Sequence, residues 1–172
     1  PFMRVFIEHL TERNFQNKTV AFIENGSWAP VATKGMKAML ENCKNLTSVK
    51  LSPSIVTIGT GAFEGCTSRA SVDFAGSGVE VIPTQAFYGC TSLTSATLPV
   101  GVTEIRDYTF AFCSSLTSVT VKGTLTSIGE EAFYRDALTS FTFAEGLTSI
   151  GADAFAFNKF EAITLPNSVV HI

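Results

Sequence analysis

One phrase recurs along this chain and dictates what it can fold into. A Phe follows a small residue at Phe63, Phe87, Phe110, Phe133 and Phe155, at intervals of 24, 23, 23 and 22 residues. Ala precedes four of the five, and Thr109 precedes Phe110. The third copy reads most clearly: Ala86-Phe87-Tyr88-Gly89-Cys90-Thr91-Ser92-Leu93-Thr94-Ser95-Ala96-Thr97-Leu98-Pro99, followed by Val102 and Ile105. A fixed period near 23 residues means one supersecondary unit stacked on copies of itself, a solenoid. Each unit cannot bury its apolar side alone, and stacking completes the core.

Aligning the copies gives each column a physical role. Leu46 to Leu51 and Leu116 to Val121 alternate apolar and polar, the mark of a half-buried strand. Equivalent strands are expected at Arg69 to Phe74, Leu93 to Leu98, Leu138 to Phe143 and Phe160 to Leu165. Pro53, Gly76, Pro99, Gly123, Gly146 and Pro166 follow soon after and stop them. A short apolar pair ending in Ile comes next: Val56/Ile58, Val79/Ile82, Val102/Ile105, Leu125/Ile128 and Leu147/Ile150. A polar turn then leads into the Ala-Phe segment, expected to form one or two helical turns. The Phe column predicts a spine of stacked rings, each burying roughly 150–250 Å².

Cys43, Cys66, Cys90 and Cys113 lie 23, 24 and 23 residues apart, and the later copies carry Asp136 and Asn158 in their place. Metal sites need paired ligands such as Cys-x-x-Cys, and none exists here. The repeat column predicts buried reduced thiols acting as small hydrophobes; a disulfide between neighbouring repeats is the alternative.

Bulk composition narrows the function classes. Of the 172 residues, 45% are hydrophobic and only 16% charged, for a net charge of −3. Lys and Arg form no cluster or stripe, which argues against nucleic acid or an anionic membrane as partner. No apolar run approaches the roughly 18 residues of a transmembrane candidate. Pro1 to His9 shows no signal-peptide architecture.

The phrase Ile-Gly-x-x-Ala-Phe-x-x-Cys-x-x-Leu-Thr-Ser-Val-x-Leu-Pro, over roughly Leu40 to Ile172, resembles the BspA-like class of leucine-rich repeats. Phe, Cys, Leu and Pro columns coincide across several copies. The resemblance implies a right-handed solenoid with parallel strands on one face, found on secreted or cell-surface proteins that bind proteins or surfaces. It implies no catalytic residues. Arg69 departs from the pattern where Leu is expected, and the fifth copy is one residue short between Asp136 and Leu138.

Residues 1–45 read differently. Phe2 to Leu10 has helical spacing, and Thr19 to Ile23 is a short apolar run, as in a strand buried on both faces. A polar turn follows at Glu24 to Pro30, then a helix-like stretch at Val31 to Asn42, then the Leu46 strand. Strand, loop, helix and strand make a βαβ unit. The stretch from about Pro1 to Thr47, centred on Asn17 to Pro30, resembles part of the flavodoxin-like domain of the A-type flavoproteins, the flavodiiron proteins. That resemblance implies flavin mononucleotide contacts from Asn25, Gly26, Ser27 and Trp28. The family's other two flavin loops are absent, and a flavodoxin-like site needs several strand ends. A structural cap over the solenoid's first repeat, with no cofactor, is therefore preferred.

No enzyme constellation emerges. His9 and His171 sit at opposite ends, and Glu130-Glu131 lies in a turn where carboxylates favour a helix N-terminus. What remains is surface. The outward strand positions form one column of Ser48, Ser71, Ser95, Ser118, Ser140 and Ala162, and another of Lys50, Asp73, Thr97, Thr120, Thr142 and Thr164. Parallel stacking spaces each column by roughly 4.8 Å. Such a hydroxyl-rich sheet reads as a recognition face for a protein or glycan, or as soluble, β-compatible filler. The expectation is an α/β repeat solenoid over 46–172, of five to six repeats, behind a cap over 1–45. Its expected function is non-enzymatic binding at a cell surface or outside the cell. A flavin-binding electron-transfer fragment and a chimera without its own function are the alternatives.

Overall fold

The computed structural model describes residues 19–22, 48–51, 53, 55–67 and 71–172. Among the described residues, nine short strands lie in two parallel sheets. The larger sheet joins β1 (Thr19–Phe22), β2 (Ser48–Leu51), β3 (Ser71–Asp73), β5 (Ser95–Thr97) and β7 (Ser118–Thr120) in that order. The smaller joins β4 (Val81–Ile82), β6 (Glu104–Ile105), β8 (Ser127–Ile128) and β9 (Ser149–Ile150). Register is strict: Ser71 pairs with Ser95 and Ser95 with Ser118, so equivalent positions of successive coils lie side by side. The apolar pairs ending in Ile supply the smaller sheet, with Ile82, Ile105, Ile128 and Ile150 all buried.

The Phe spine is present. Phe63, Phe87, Phe110, Phe133 and Phe155 stack with centroids 5.0, 5.0, 5.2 and 5.2 Å apart and planes within 6–11° of parallel. At that separation nearly parallel rings must be offset, a preferred aromatic arrangement. The coil rise of about 4.8 Å dictates the spacing. Ala96, Leu98, Leu116, Val102 and their counterparts fill the rest of one continuous core.

Two expectations need correction. The Ala-Phe segments are not helical, and no helix occurs among the described residues. The residues two before and two after each Phe take left-handed φ: Gly61 and Gly65, Gln85 and Gly89, Tyr108 and Phe112, Glu131 and Arg135, Asp153 and Phe157. A left-handed residue every fourth position prevents a continuous i→i−4 ladder. The amides alternate instead. Gln85, Phe87 and Gly89 donate to Asp107, Thr109 and Ala111 of the next coil, while Ala86, Tyr88 and Cys90 donate three residues back within their own turn. Backbone groups are thus satisfied laterally, as in a sheet.

Leu138 to Phe143 and Phe160 to Leu165 carry no strand. The ladder stops where the fifth copy loses its residue and where Phe141 replaces the smaller Val72, Ala96 and Val119. Phe141 packs 5.3 Å from Phe133 and 5.1 Å from Phe155, joining the inner spine. Of the anticipated cap, β1 pairs parallel with β2 and so extends the repeat sheet, Thr19 against Ser48 and Phe22 against Leu51. The helix expected between them lies outside the described residues.

Candidate binding face

The strand face is built by alternation. In β3 and β5 the central residues Val72 and Ala96 are buried, which turns Ser71, Asp73, Ser95 and Thr97 outward, each half-buried. In β7, Ser118 and Thr120 are exposed. The parallel register brings Ser48, Ser71, Ser95 and Ser118 into one row and Lys50, Asp73, Thr97 and Thr120 into the next. Lys50 and Asp73 lie 4.0 Å apart at the near edge, both well exposed, an ion pair that adds little stability. Ser140, Thr142 and Thr164 are exposed but sit beyond the last strand of this sheet, so the ordered rows end at Ser118 and Thr120.

Other hydroxyls do structural work. Thr103, Thr126 and Thr148 each donate to a carbonyl of the preceding coil, at 3.3, 3.0 and 2.9 Å. Thr109 Oγ1 donates to the Arg106 and Pro83 carbonyls. These threonines tie coils together from outside the strand rows, and nothing in the strand alternation signals them.

The titratable groups form no catalytic constellation among the described residues. Tyr108 donates its hydroxyl to Glu130 at 3.0 Å, which raises the phenol's pKa on an open surface. Glu131 has a left-handed φ and heads no helix, so the doublet does not cap one. Cys66, Cys90 and Cys113 are buried in one column and form no disulfide with one another. Cys90 and Cys113 donate their thiols to the carbonyls of Phe63 and Phe87 in the preceding coil. Burial, then the neighbouring Cys90 thiol, pushes the Cys113 thiol well up. No group of three or more metal-ligating side chains occurs among the described residues.

Asp136 stands in the same buried column. Its Oδ1 accepts the Cys113 amide at 2.8 Å, and its Oδ2 is buried with no hydrogen-bond partner. Desolvation pushes this carboxyl up to about 9, opposed only by the Cys113 hydrogen bond. An acid in a cysteine column, with no basic column beside it, was the sequence signal for this shift.

Asn25, Gly26, Ser27 and Trp28, the flavin positions of the alternative reading, lie outside the described residues, as does Cys43. Among the described residues no helix is long and apolar enough to cross a membrane. An open apolar hollow of about 530 Å³ lies at the last coil, lined by Phe155, Phe160, Ile163, Leu165 and Ile172.

Residues 34–159 match the BspA type leucine rich repeat region, in six copies. No curated protein matches the sequence. The fold is similar to a leucine-rich repeat protein of Eubacterium ventriosum, with 20% identity and a TM-score of 0.63, over 74% of this chain and 34% of that one. It is also similar to the pneumococcal vaccine antigen PcpA, with 25% identity and a TM-score of 0.60, over 66% of this chain and 28% of that one. A leucine rich cell surface protein of Faecalibacterium prausnitzii shares 26% identity at a TM-score of 0.51, over 85% of this chain and 48% of that one. The chain therefore spans about a third of the first two structures. None of these three is flavodoxin-like, and the family match begins at residue 34, so the flavin reading gains no support.

Proposed function

The chain belongs to the BspA type of leucine-rich repeat proteins, and from that premise we propose that it is a non-enzymatic binding module whose protein or glycan partner docks on the hydroxyl rows of the larger sheet. The observation that carries this is the register. Ser71, Ser95 and Ser118, with Thr97 and Thr120, set hydroxyls in one register coil after coil, beside the Lys50–Asp73 pair. A preorganised array loses little conformational entropy on binding. Ser48 and Lys50 extend it on one side, and Ser140, Thr142 and Thr164 border it on the other. Location at a bacterial cell surface or outside the cell is part of the proposal, supported by the named surface protein of F. prausnitzii. So is the division into a cap over 1–45 and a solenoid over 46–172, which the pairing of β1 with β2 suits.

The test is a printed glycan array probed in parallel with a phage-displayed library of linear peptides. Ligands should lose at least about tenfold in affinity, the effect of about 1.4 kcal/mol, when Thr97→Arg places a charge amid the rows. The absence of any ligand sensitive to Thr97→Arg or Ser95→Arg would rule the strand face out.

A further inference from the structure

A second surface lies on the turn edge, between the smaller and larger sheets along each coil. Tyr88, Phe112, Tyr134 and Phe157 form a ladder of outer rings, one per coil, with centroids 5.3, 5.5 and 5.2 Å apart. Successive rings meet edge to face, at 61°, 64° and 77°. Phe112 is 37% exposed and Phe157 68%. The Arg135 guanidinium lies across the lower end, 5.4 Å from the Tyr134 ring and 5.0 Å from that of Phe157.

The ladder alternates between two sequence columns. Tyr88 is followed by Gly89, Phe112 is preceded by Ala111, Tyr134 is followed by Arg135, and Phe157 is preceded by Ala156. Each coil contributes one ring, and in three of the four the other column holds Gly or Ala. The second column is left-handed throughout: Gly65 and Gly89 have φ of 66° and 68°, Phe112, Arg135 and Phe157 have 64°, 57° and 59°. Two coils thus show that Gly suffices there, yet the last three hold bulky side chains in a conformation that L residues avoid. The column two before each Phe is left-handed as well, at Gln85, Tyr108, Glu131 and Asp153, so the conformation belongs to the repeat turn and the choice of bulky aromatics belongs to the ridge. The inner Phe spine already supplies the core, so Phe157 is not needed for burial.

We infer that this aromatic ridge is a docking surface for a protein segment that presents a carboxylate among apolar side chains. Aromatic residues and Arg are enriched at protein–protein interfaces, and Tyr and Arg are among the residues over-represented at their energetic hot spots. Arg135 commits the partner's chemistry. It is exposed and makes no ion pair among the described residues. Its guanidinium carbon lies within cation–π distance of both ring centroids, which keeps the charge on the ridge, and its planar fork of N–H donors suits a carboxylate. Consecutive rings at steep angles do not form the flat platform that sugar rings stack upon, which favours polypeptide over glycan. The ridge is separate from the hydroxyl rows, and either surface can fail its test while the other stands.

The decisive experiment pans a phage-displayed library of linear dodecapeptides on the whole chain and counter-pans on its Phe157→Gly variant. The expected result is enrichment of peptides with Asp or Glu beside apolar residues. Their affinity should fall at least tenfold in both Phe157→Gly and Arg135→Glu and stay unchanged in Thr97→Arg. Melting of Phe157→Gly should be no lower than that of the native chain, because Gly suits the left-handed φ. Enriched peptides without an acidic residue, or ones indifferent to the ridge variants, would overturn the proposal. So would the absence of any ridge-dependent peptide, a glycan bound through the ridge instead, or a marked loss of stability in Phe157→Gly.

Discussion

Replacing Asp136 by Asn should stabilise this protein at neutral pH and leave it nearly unchanged in acid. Asp136 is 6% exposed and lies between coils. With its carboxyl pushed up to about 9, the folded chain keeps it protonated at neutral pH. The unfolded chain ionises it near the ordinary value of about 3.9. Between those values the folded state binds one proton more than the unfolded state, so stability falls as pH rises. The loss is about 1.36 kcal/mol per pH unit: nil below about pH 4, about 1.5 kcal/mol at about pH 5 and about 4 kcal/mol at about pH 7. Asn carries no such penalty. Its Oδ1 can keep the Cys113 amide bond, and its amide N–H serves where Oδ2 of Asp136 has no partner.

The column supplies the acceptor. Cys90, Cys113 and Asn158 donate to the carbonyls of Phe63, Phe87 and Phe133 of the preceding coil, at 3.0, 3.1 and 2.6 Å. By analogy with those coils, the Phe110 carbonyl is the acceptor expected for an amide donor at position 136. Urea denaturation followed by circular dichroism at several pH values is the assay. The advantage of Asp136→Asn should grow from about zero near pH 4 to about 4 kcal/mol near pH 7. A difference independent of pH, or an Asn variant less stable at neutrality, would refute the reasoning.

Other consequences are equally direct. Phe110→Ala, which removes a ring stacked on both sides, should cost about 3–5 kcal/mol in denaturant unfolding. Gly123→Ala should cost about 2 kcal/mol or more, because its Cβ would lie 2.5 Å from the Val102 carbonyl oxygen and 2.7 Å from that of Val100. Gly76→Ala, with no atom within 4 Å of the added methyl, is the matched control and should melt like the native chain. In a Cys43→Ala background, the three buried thiols should react with a disulfide reagent only on unfolding. Rapid labelling of the native protein would contradict the packing of that column.

The periodic features were legible because each repeat position meets its own copy. Phe63 to Phe155 could be read as a stacked spine from spacing alone, and Ile82, Ile105, Ile128 and Ile150 as the second apolar row. The Ala-Phe turns were misread because Ala86, Phe87 and Cys90 have the apolar spacing of a helix. Gly61, Gly65 and Gly89 were the overlooked signal, marking two left-handed columns that only Gly adopts freely. Around Phe141 the alternation persists, with Phe141 and Phe143 half-buried and Ser140 and Thr142 exposed, yet no strand forms, so alternation alone does not establish ladder pairing. The aromatic ridge was hidden because its rings alternate between two columns, and only the left-handed turns bring Tyr88 beside Phe112. Ser71 and Thr97 were placed on one outward face by simple alternation, but alternation says nothing about what binds there.

The central claim is that one continuous stack of coils, in a single register, holds up both surfaces. Aromatic cross-relaxation in a sample labelled only at Phe tests it most directly. The account predicts an unbroken series of ring contacts from Phe63 through Phe87, Phe110 and Phe133 to Phe155, at the 5.0–5.2 Å steps of the spine. A gap in that series, or contacts that skip a coil, would contradict the register and remove the basis for both faces.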